Sequence, residues 1–246
     1  MKLTGNTILI TGGTSGIGKG LAQHFLGLGN TVIICGRRND RLEELKAQYP
    51  DLVTIQCDLT AAASRENLVR QAIHECPDLN ILVNNAGIQL TGDLTNPIDL
   101  SALEREISTN LIAPIHLSSL VVEQLRGRPE PGIVNISSGL AYTPIAFMPV
   151  YCASKAAIHS WSLSLRKQLE RTGISVYEIA PPSVDTELGH ERRKDKDQTH
   201  GGMSVNEFID EAMKALESNI FQVAIGQAAS MLDQRDALFE RLNANF

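Results

Sequence analysis

The chain has 246 residues, 43% of them hydrophobic, with 22 basic and 28 acidic side chains for a net charge of −6. That is the make-up of one soluble globular domain with a substantial core, and the acidic balance argues against a general nucleic-acid surface. No apolar run is long enough for membrane insertion, no signal peptide precedes the first strand, and Cys35, Cys57, Cys76 and Cys152 lack metal-site spacing, so a reducing, cytoplasmic setting with no metal is expected.

The first element is the run Ile8-Leu9-Ile10, suited to a buried parallel strand. Thr11-Gly12-Gly13-Thr14-Ser15-Gly16-Ile17-Gly18 comes next as a tight turn, and Leu21, Ala22, Phe25, Leu26 and Leu28 then recur at helix spacing. A strand, a Gly-rich turn and a helix N-terminus make an anion site. Backbone N–H groups and the helix dipole face the ligand, and glycine lets the backbone approach it. An ordinary strand-to-helix turn has the same pattern, so this turn gains its weight only in combination with residues further along the chain.

Strands are predicted over 31–35, 52–56 and 80–83, with helices over 41–48 and 65–75 between them. The third strand ends at Cys57-Asp58-Leu59 and the fourth at Asn84-Asn85-Ala86-Gly87. Residues 101–125 read as one or two long helices with Pro114 at a kink or junction. A fifth strand over 132–137, a helix over 151–171 and a sixth strand over 175–179 lead to Pro181-Pro182. Residues 187–202 are crowded with charge and poor in apolar residues, as in a mobile surface segment. Ser204 caps a helix reaching about Leu216, with Glu207 completing a capping box. A last strand over 220–225 precedes an amphipathic helix marked by Met231, Leu232, Leu238, Phe239 and Leu242. This alternation predicts an α/β fold, a single doubly wound domain over 1–246 with a parallel sheet of about seven strands. Ligands bind such sheets at the carboxyl ends of the strands, where strand order reverses.

Three features share that edge: the Gly-rich turn, Ser137-Ser138 after the fifth strand, and Tyr151-Cys152-Ala153-Ser154-Lys155 at the start of the next helix. Tyr and Lys at i and i+4 lie one turn apart on one face. A nearby ammonium favours the phenolate, and a phenol so tuned can exchange a proton with a carbonyl or alcohol oxygen. A plain surface pair is the competing reading.

Thr11-Gly12-x-x-x-Gly16-Ile17-Gly18, Asn84-Asn85-Ala86-Gly87, Ser138 and Tyr151-x-x-x-Lys155, in this order, resemble the classical short-chain dehydrogenases/reductases. The resemblance covers nearly the whole chain. It implies a single-domain Rossmann fold and hydride transfer between a nicotinamide cofactor and a small carbonyl or secondary alcohol. It implies Tyr151 as general acid/base, Lys155 on the nicotinamide ribose, Ser138 on the substrate oxygen, and Asn110 holding a water in a proton relay. The implied cofactor contacts are Gly12, Thr14, Ser15, Gly16, Ile17, Gly18, Arg37, Arg38, Asp58, Leu59, Asn84, Tyr151, Lys155, Val184 and Thr186. Val150-Tyr151-Cys152-Ala153 and Ala180-Pro181-Pro182-Ser183-Val184-Asp185-Thr186 further resemble the DltE-type branch, associated with teichoic-acid D-alanylation. Most of the family has glycine where this chain has Pro182, beside the nicotinamide.

Where an NAD site of this type carries a carboxylate for the adenosine ribose, this chain has Gly36 followed by Arg37 and Arg38. A guanidinium can fork onto a 2′-phosphate, so NADP(H) is favoured, with NAD(H) the alternative. Leu90, Leu140, Ala141, Phe147, Met148, Leu188 and Met203 are expected around an apolar substrate pocket, with 187–203 at the family's substrate-lid position. His159 and Trp161 read as interface or core, and His190 and His200 as solvated side chains. Cys35 and Cys57 end neighbouring strands and read as reduced core thiols, and the run 191–197 as a solvated face. The family's long helices imply a homodimer or homotetramer. The rival to an enzyme is a nucleotide-binding sensor or scaffold with little turnover.

Overall fold

Why the chain must bury both faces of its sheet is visible in its central strands, where Ile8-Leu9-Ile10, Val32-Ile33-Ile34 and Ile81-Leu82-Val83 run apolar without a break. In the computed structural model, which describes residues 1–189 and 201–244, seven strands run parallel in the order β3-β2-β1-β4-β5-β6-β7. They are β1 (Thr7–Thr11), β2 (Thr31–Gly36), β3 (Val53–Gln56), β4 (Ile81–Asn84), β5 (Gly132–Ile136), β6 (Ser175–Ala180) and β7 (Gln222–Ala224). Parallel strands need crossovers, and helices supply them: α1 (Gly16–Gly27), α2 (Asn39–Gln48), α3 (Ala62–Glu75), α4 (Leu100–Ile107), α5 (Ala113–Leu125), α6 (Pro149–Leu169) and α7 (Val205–Glu217); a further helix, α8 (Gln227–Leu242), follows β7. This is the single doubly wound Rossmann sheet expected.

Strand alternation sorts the core into two layers. Ile8, Ile10, Val32 and Ile34 face one side, with Leu21 and Phe25 of α1 and Phe208 and Ile209 of α7. Leu9, Ile33 and Cys35 face the other, with Leu68 of α3, Leu117 and Val121 of α5 and Leu165 of α6. At the amino edge, buried Asn6, Asn30 and Asn80 pin the strand starts: Thr7 N donates to Asn80 Oδ1 at 2.9 Å and Asn6 N to Asn30 Oδ1 at 2.9 Å.

The expected elements are present with shifted ends. The long helical stretch is α4 and α5 joined by a π-helical turn over Ser108–Ile112, with Pro114 in the first turn of α5, directly after that turn. Pro114 therefore marks a junction and introduces no break. Ser204 and Glu207 form the expected capping box. Helix α8 turns at Arg235 (φ 6°, ψ −86°), a bend the amphipathic pattern did not reveal. Residues 190–200, with His190, His200 and the charge run 191–197, lie outside the described residues, as does most of the expected lid.

Candidate active site

Strand order reverses between β1 and β4, and a cavity of about 860 Å³ opens there at the carboxyl edge. Its walls come from the Gly-rich turn, the ends of β2 and β3, the loop after β4, the start of α6 and the residues after β6.

The turn is shaped for close approach. Gly12 (φ +67°) and Gly16 (φ +52°) hold left-handed backbone that side chains resist. A Cβ on Gly12 would sit 2.9 Å from Ala86 Cα, and one on Gly16 3.1 Å from Thr186. A Cβ on Gly18 would collide with the Gly12 carbonyl and the Asn85 amide, so Gly18 serves packing of the turn. Thr11 Oγ1 accepts from the N–H groups of Asn85 and Ala86, both at 3.0 Å, tying the turn to the loop after β4. Ser15 is the N-cap of α1, and its hydroxyl makes no capping bond.

The i, i+4 pair is formed as expected. Lys155 Nζ lies 5.8 Å from the Tyr151 ring centroid and donates to the Ile136 carbonyl at 2.9 Å. Burial pulls the Lys155 pKa down to about 8, so its charge is held at a desolvation cost. Asn110 sits in the π-helical turn, a feature frequent at functional sites. Its side chain clamps Ile88, accepting from the backbone N at 2.9 Å and donating to the carbonyl at 2.8 Å. It also donates to Ser154 Oγ at 3.2 Å, and Ser154 Oγ donates to the Tyr151 carbonyl at 2.7 Å. Asn110 is thus anchored to the helical turn that carries Tyr151 and Lys155. A Cβ on Gly87 would lie 3.6 Å from Asn110 Oδ1 and 3.7 Å from Lys155 Nζ, which puts both groups beside the loop after β4. Ser138 caps the short 3₁₀ turn Gly139–Ala141, its Oγ accepting from Leu140 N at 3.1 Å, and that turn packs on α6.

At the other end of the cavity stand Gly36, Arg37, Arg38 and Arg41. A Cβ on Gly36 would lie 2.8 Å from Thr14 Cγ2, so the turn itself crowds the position where a carboxylate would stand. Glu187 enters from the opposite wall, 3.0 Å from Arg38 and 3.9 Å from Arg41. That acid, far away in sequence, carries no motif that marks it.

Of the expected cofactor residues, Gly12, Thr14, Ser15, Gly16, Ile17, Arg37, Arg38, Asp58, Leu59, Tyr151, Lys155 and Thr186 line the cavity. Gly18, Asn84 and Val184 stand behind the wall. Asn84 is the last residue of β4 and points into the core, donating to Ser118 Oγ at 3.1 Å and Asn135 Oδ1 at 2.9 Å. Asn85, Ala86 and Gly87 face the cavity in its place. Strand parity at the end of β4 was the signal for this. Leu90 and Leu188 line the cavity as expected. Met148 and Leu140 instead pack with Tyr151 and Cys152 in a small separate cluster. Met203 packs on the main core and Phe147 is exposed. His159 is bound to buried Glu178 at 2.8 Å, away from the cavity.

The cavity suits a dinucleotide. It is floored by a glycine turn at a helix N-terminus, it has guanidinium groups at one end and a buried ammonium at the other, and Ser137 Oγ on its wall is buried without a hydrogen-bond partner among the described residues.

Comparison with known proteins agrees with this geometry. The family model for short chain dehydrogenases matches residues 6–197. The chain is 44% identical over 248 residues to the uncharacterized oxidoreductase DltE of Bacillus subtilis, covering 99% of this chain and 98% of that one. It is 34% identical over 192 residues to the NADP-dependent 3-hydroxy acid dehydrogenase YdfG of Escherichia coli O6:H1, covering 77% of each. A Burkholderia phymatum short chain dehydrogenase/reductase solved in complex with NAD superposes with a TM-score of 0.86 over 99% of this chain and 97% of that chain, at 19% identity. The chain belongs to the short-chain dehydrogenase family, as an oxidoreductase of the DltE type.

Proposed function

We propose that the protein moves a hydride between NADP(H) and a small carbonyl or secondary alcohol. The observation that carries this is Tyr151 and Lys155 on one turn of α6 at the wall of the dinucleotide-shaped cavity. The nicotinamide, when bound, supplies or accepts the hydride. The residues of the chain supply position and protons. The Gly-rich turn and the α1 N-terminus receive phosphate. Lys155, protonated at neutral pH with a pKa of about 8, donates to ribose hydroxyls and favours phenolate at Tyr151. Tyr151 exchanges the proton at the substrate oxygen, and Ser138 orients that oxygen. Asn110 fixes the loop after β4 and holds a water for the relay to solvent.

NADP(H) is favoured over NAD(H) because Gly36 offers no acid and Arg37, Arg38 and Arg41 surround the position of a 2′-phosphate. A relative named as NADP-dependent supports this reading. Exposed Ile112 at the end of the π-helical turn, Ile115 at the start of α5 and Leu163 on α6 support a two-fold interface between copies of the chain. Four free cysteines support a reducing compartment, the cytoplasm. Among the described residues no helix is long and apolar enough to cross a membrane.

A panel of aldehydes, ketones, hydroxy acids and secondary alcohols, followed at the nicotinamide absorbance, tests the proposal. Turnover on any member supports it. Tight NADPH binding with no turnover on any of them supports a sensor or scaffold instead.

A further inference from the structure

A buried cation braces the arginine end of the cavity from behind. The wall there includes Cys57, Asp58 and Leu59, the residues that follow β3. Cys57 N donates to the Gly36 carbonyl at 2.9 Å, which sets this wall beside the end of β2. Arg65 of α3 is 4% exposed. Its Nη1 donates to the Leu59 carbonyl at 2.5 Å, and its Nε donates to His116 Nδ1 of α5 at 3.0 Å. It has no ion pair among the described residues. Buried charges are ordinarily matched by an opposite charge. This guanidinium is held by two neutral acceptors, and one of them can take up a proton.

The bond to Arg65 fixes the state of the imidazole. A guanidinium only donates, so Nδ1 must accept, and His116 is neutral with its proton on Nε2. A proton on Nδ1 would face the Arg65 N–H and set two cations about 3 Å apart in a buried site. No acid stands by to offset that repulsion. The elements packed most closely on α5 are α3, the π-helical turn, β4 and β5. The turn and the two strands carry no titratable side chain. The other charged or titratable residues of α3, Glu66, Arg70, His74 and Glu75, are exposed, as is Glu123 of α5 itself. Asp58 Oδ1 is engaged by the N–H and hydroxyl of Thr60.

We propose that Arg65 is a positioning residue for the dinucleotide, holding the Leu59 segment of the cavity wall, and that it does so only while His116 is neutral, so that protonation of His116 weakens dinucleotide binding. The effect on the dinucleotide rests on the cofactor site proposed above; the Arg65–His116 contact does not. With His116 neutral, α5 fixes Nε, and the guanidinium plane is aimed so that Nη1 meets the Leu59 carbonyl. With His116 protonated, the guanidinium is driven from α5 and the carbonyl loses its charged donor. A ligand that prefers the neutral state binds more weakly as pH falls and releases a proton on binding, by linkage.

The test is calorimetric titration with NADP+, which survives weak acid, at about pH 7.5 and about pH 5.5. Wild type is compared with His116→Asn, whose amide oxygen keeps an acceptor near the place of Nδ1 and takes up no proton. Wild-type affinity is expected to fall about tenfold more than that of His116→Asn between the two pH values. Comparing the two falls cancels the titration of the 2′-phosphate, which both proteins share. Arg65→Met is expected to bind about tenfold more weakly than wild type at pH 7.5. The same pH dependence in wild type and His116→Asn overturns the link to His116, and wild-type affinity in Arg65→Met overturns the positioning role. If Arg65→Met does not fold, the His116→Asn comparison still decides. Absence of NADP+ binding by folded wild type at pH 7.5 counts against the cofactor site and takes the positioning role with it. The contact itself is then decided by long-range proton–nitrogen NMR spectra: an Nε2–H tautomer at His116 supports it, and an Nδ1–H tautomer overturns it.

Discussion

Replacing Lys155 by Met is expected to make the free protein more stable and a poorer binder of the dinucleotide. Lys155 is buried and its pKa falls from 10.5 to about 8 through desolvation, a cost of about 3 kcal/mol to the folded state at neutral pH. Methionine fills nearly the same volume without charge, but it leaves the Ile136 carbonyl without the 2.9 Å bond from Nζ, a loss of about 1 kcal/mol. The net expectation is about 2 kcal/mol of added stability at pH 7. The sign comes from proton counting. Below pH 8 Lys155 is protonated in both states and the wild type bears the whole cost. Between pH 8 and 10.5 the unfolded chain holds the extra proton, so wild-type stability rises with pH, and above 10.5 the cost is gone. Urea unfolding of both proteins at pH 7 and near pH 10.5 measures this, with the variant's advantage disappearing at the higher pH. A stability difference that does not change with pH would refute the buried charge. The same variant should bind NADPH at least tenfold more weakly, about 1.4 kcal/mol. Unchanged affinity would remove Lys155 from the ribose.

Arg37→Ala should erase most of the preference for NADPH over NADH, and high salt should shrink the same gap in the wild type; equal wild-type affinities in low-salt fluorescence titrations would contradict the reading of the β2 end. Glu187→Gln should raise NADPH affinity up to about fivefold by freeing Arg38 and Arg41, as an exposed pair is worth at most about 1 kcal/mol; titration of both proteins with NADPH reads the change. Gly18→Ala should lose stability by about 1–3 kcal/mol, because its Cβ meets backbone that cannot yield, and urea unfolding would show it. Light scattering at micromolar concentration should give at least a dimer, and a monomer would contradict an interface through α5 and α6.

The architecture was legible because the apolar strands and the helix-spaced runs alternate without interruption, and parity along each strand fixes its two faces. The motif residues Gly12, Gly16, Tyr151 and Lys155 were legible for a different reason: each occupies a position where backbone freedom or one-turn spacing is required. Asn84 shows the limit of a motif without parity. It belongs to the signature, yet it ends a strand pointing inward, and its neighbours Asn85 and Ala86 form the wall. Glu187 beside Arg38 was invisible, since 149 positions separate them and only the fold closes that gap. The π-helical turn at Asn110 and the bend at Arg235 leave no periodic signature, because each is a local departure from regular spacing.

Proton transfer by Tyr151 is tested most directly by Tyr151→Phe, measured on whichever substrate the wild type turns over, with NADPH affinity measured beside it. The expected kcat falls by about 10²–10⁴, the range of general acid–base catalysis, while NADPH affinity stays within about twofold, because only one hydroxyl is removed. Wild-type kcat in this variant would contradict proton transfer by Tyr151 and, with it, the catalytic reading of the site.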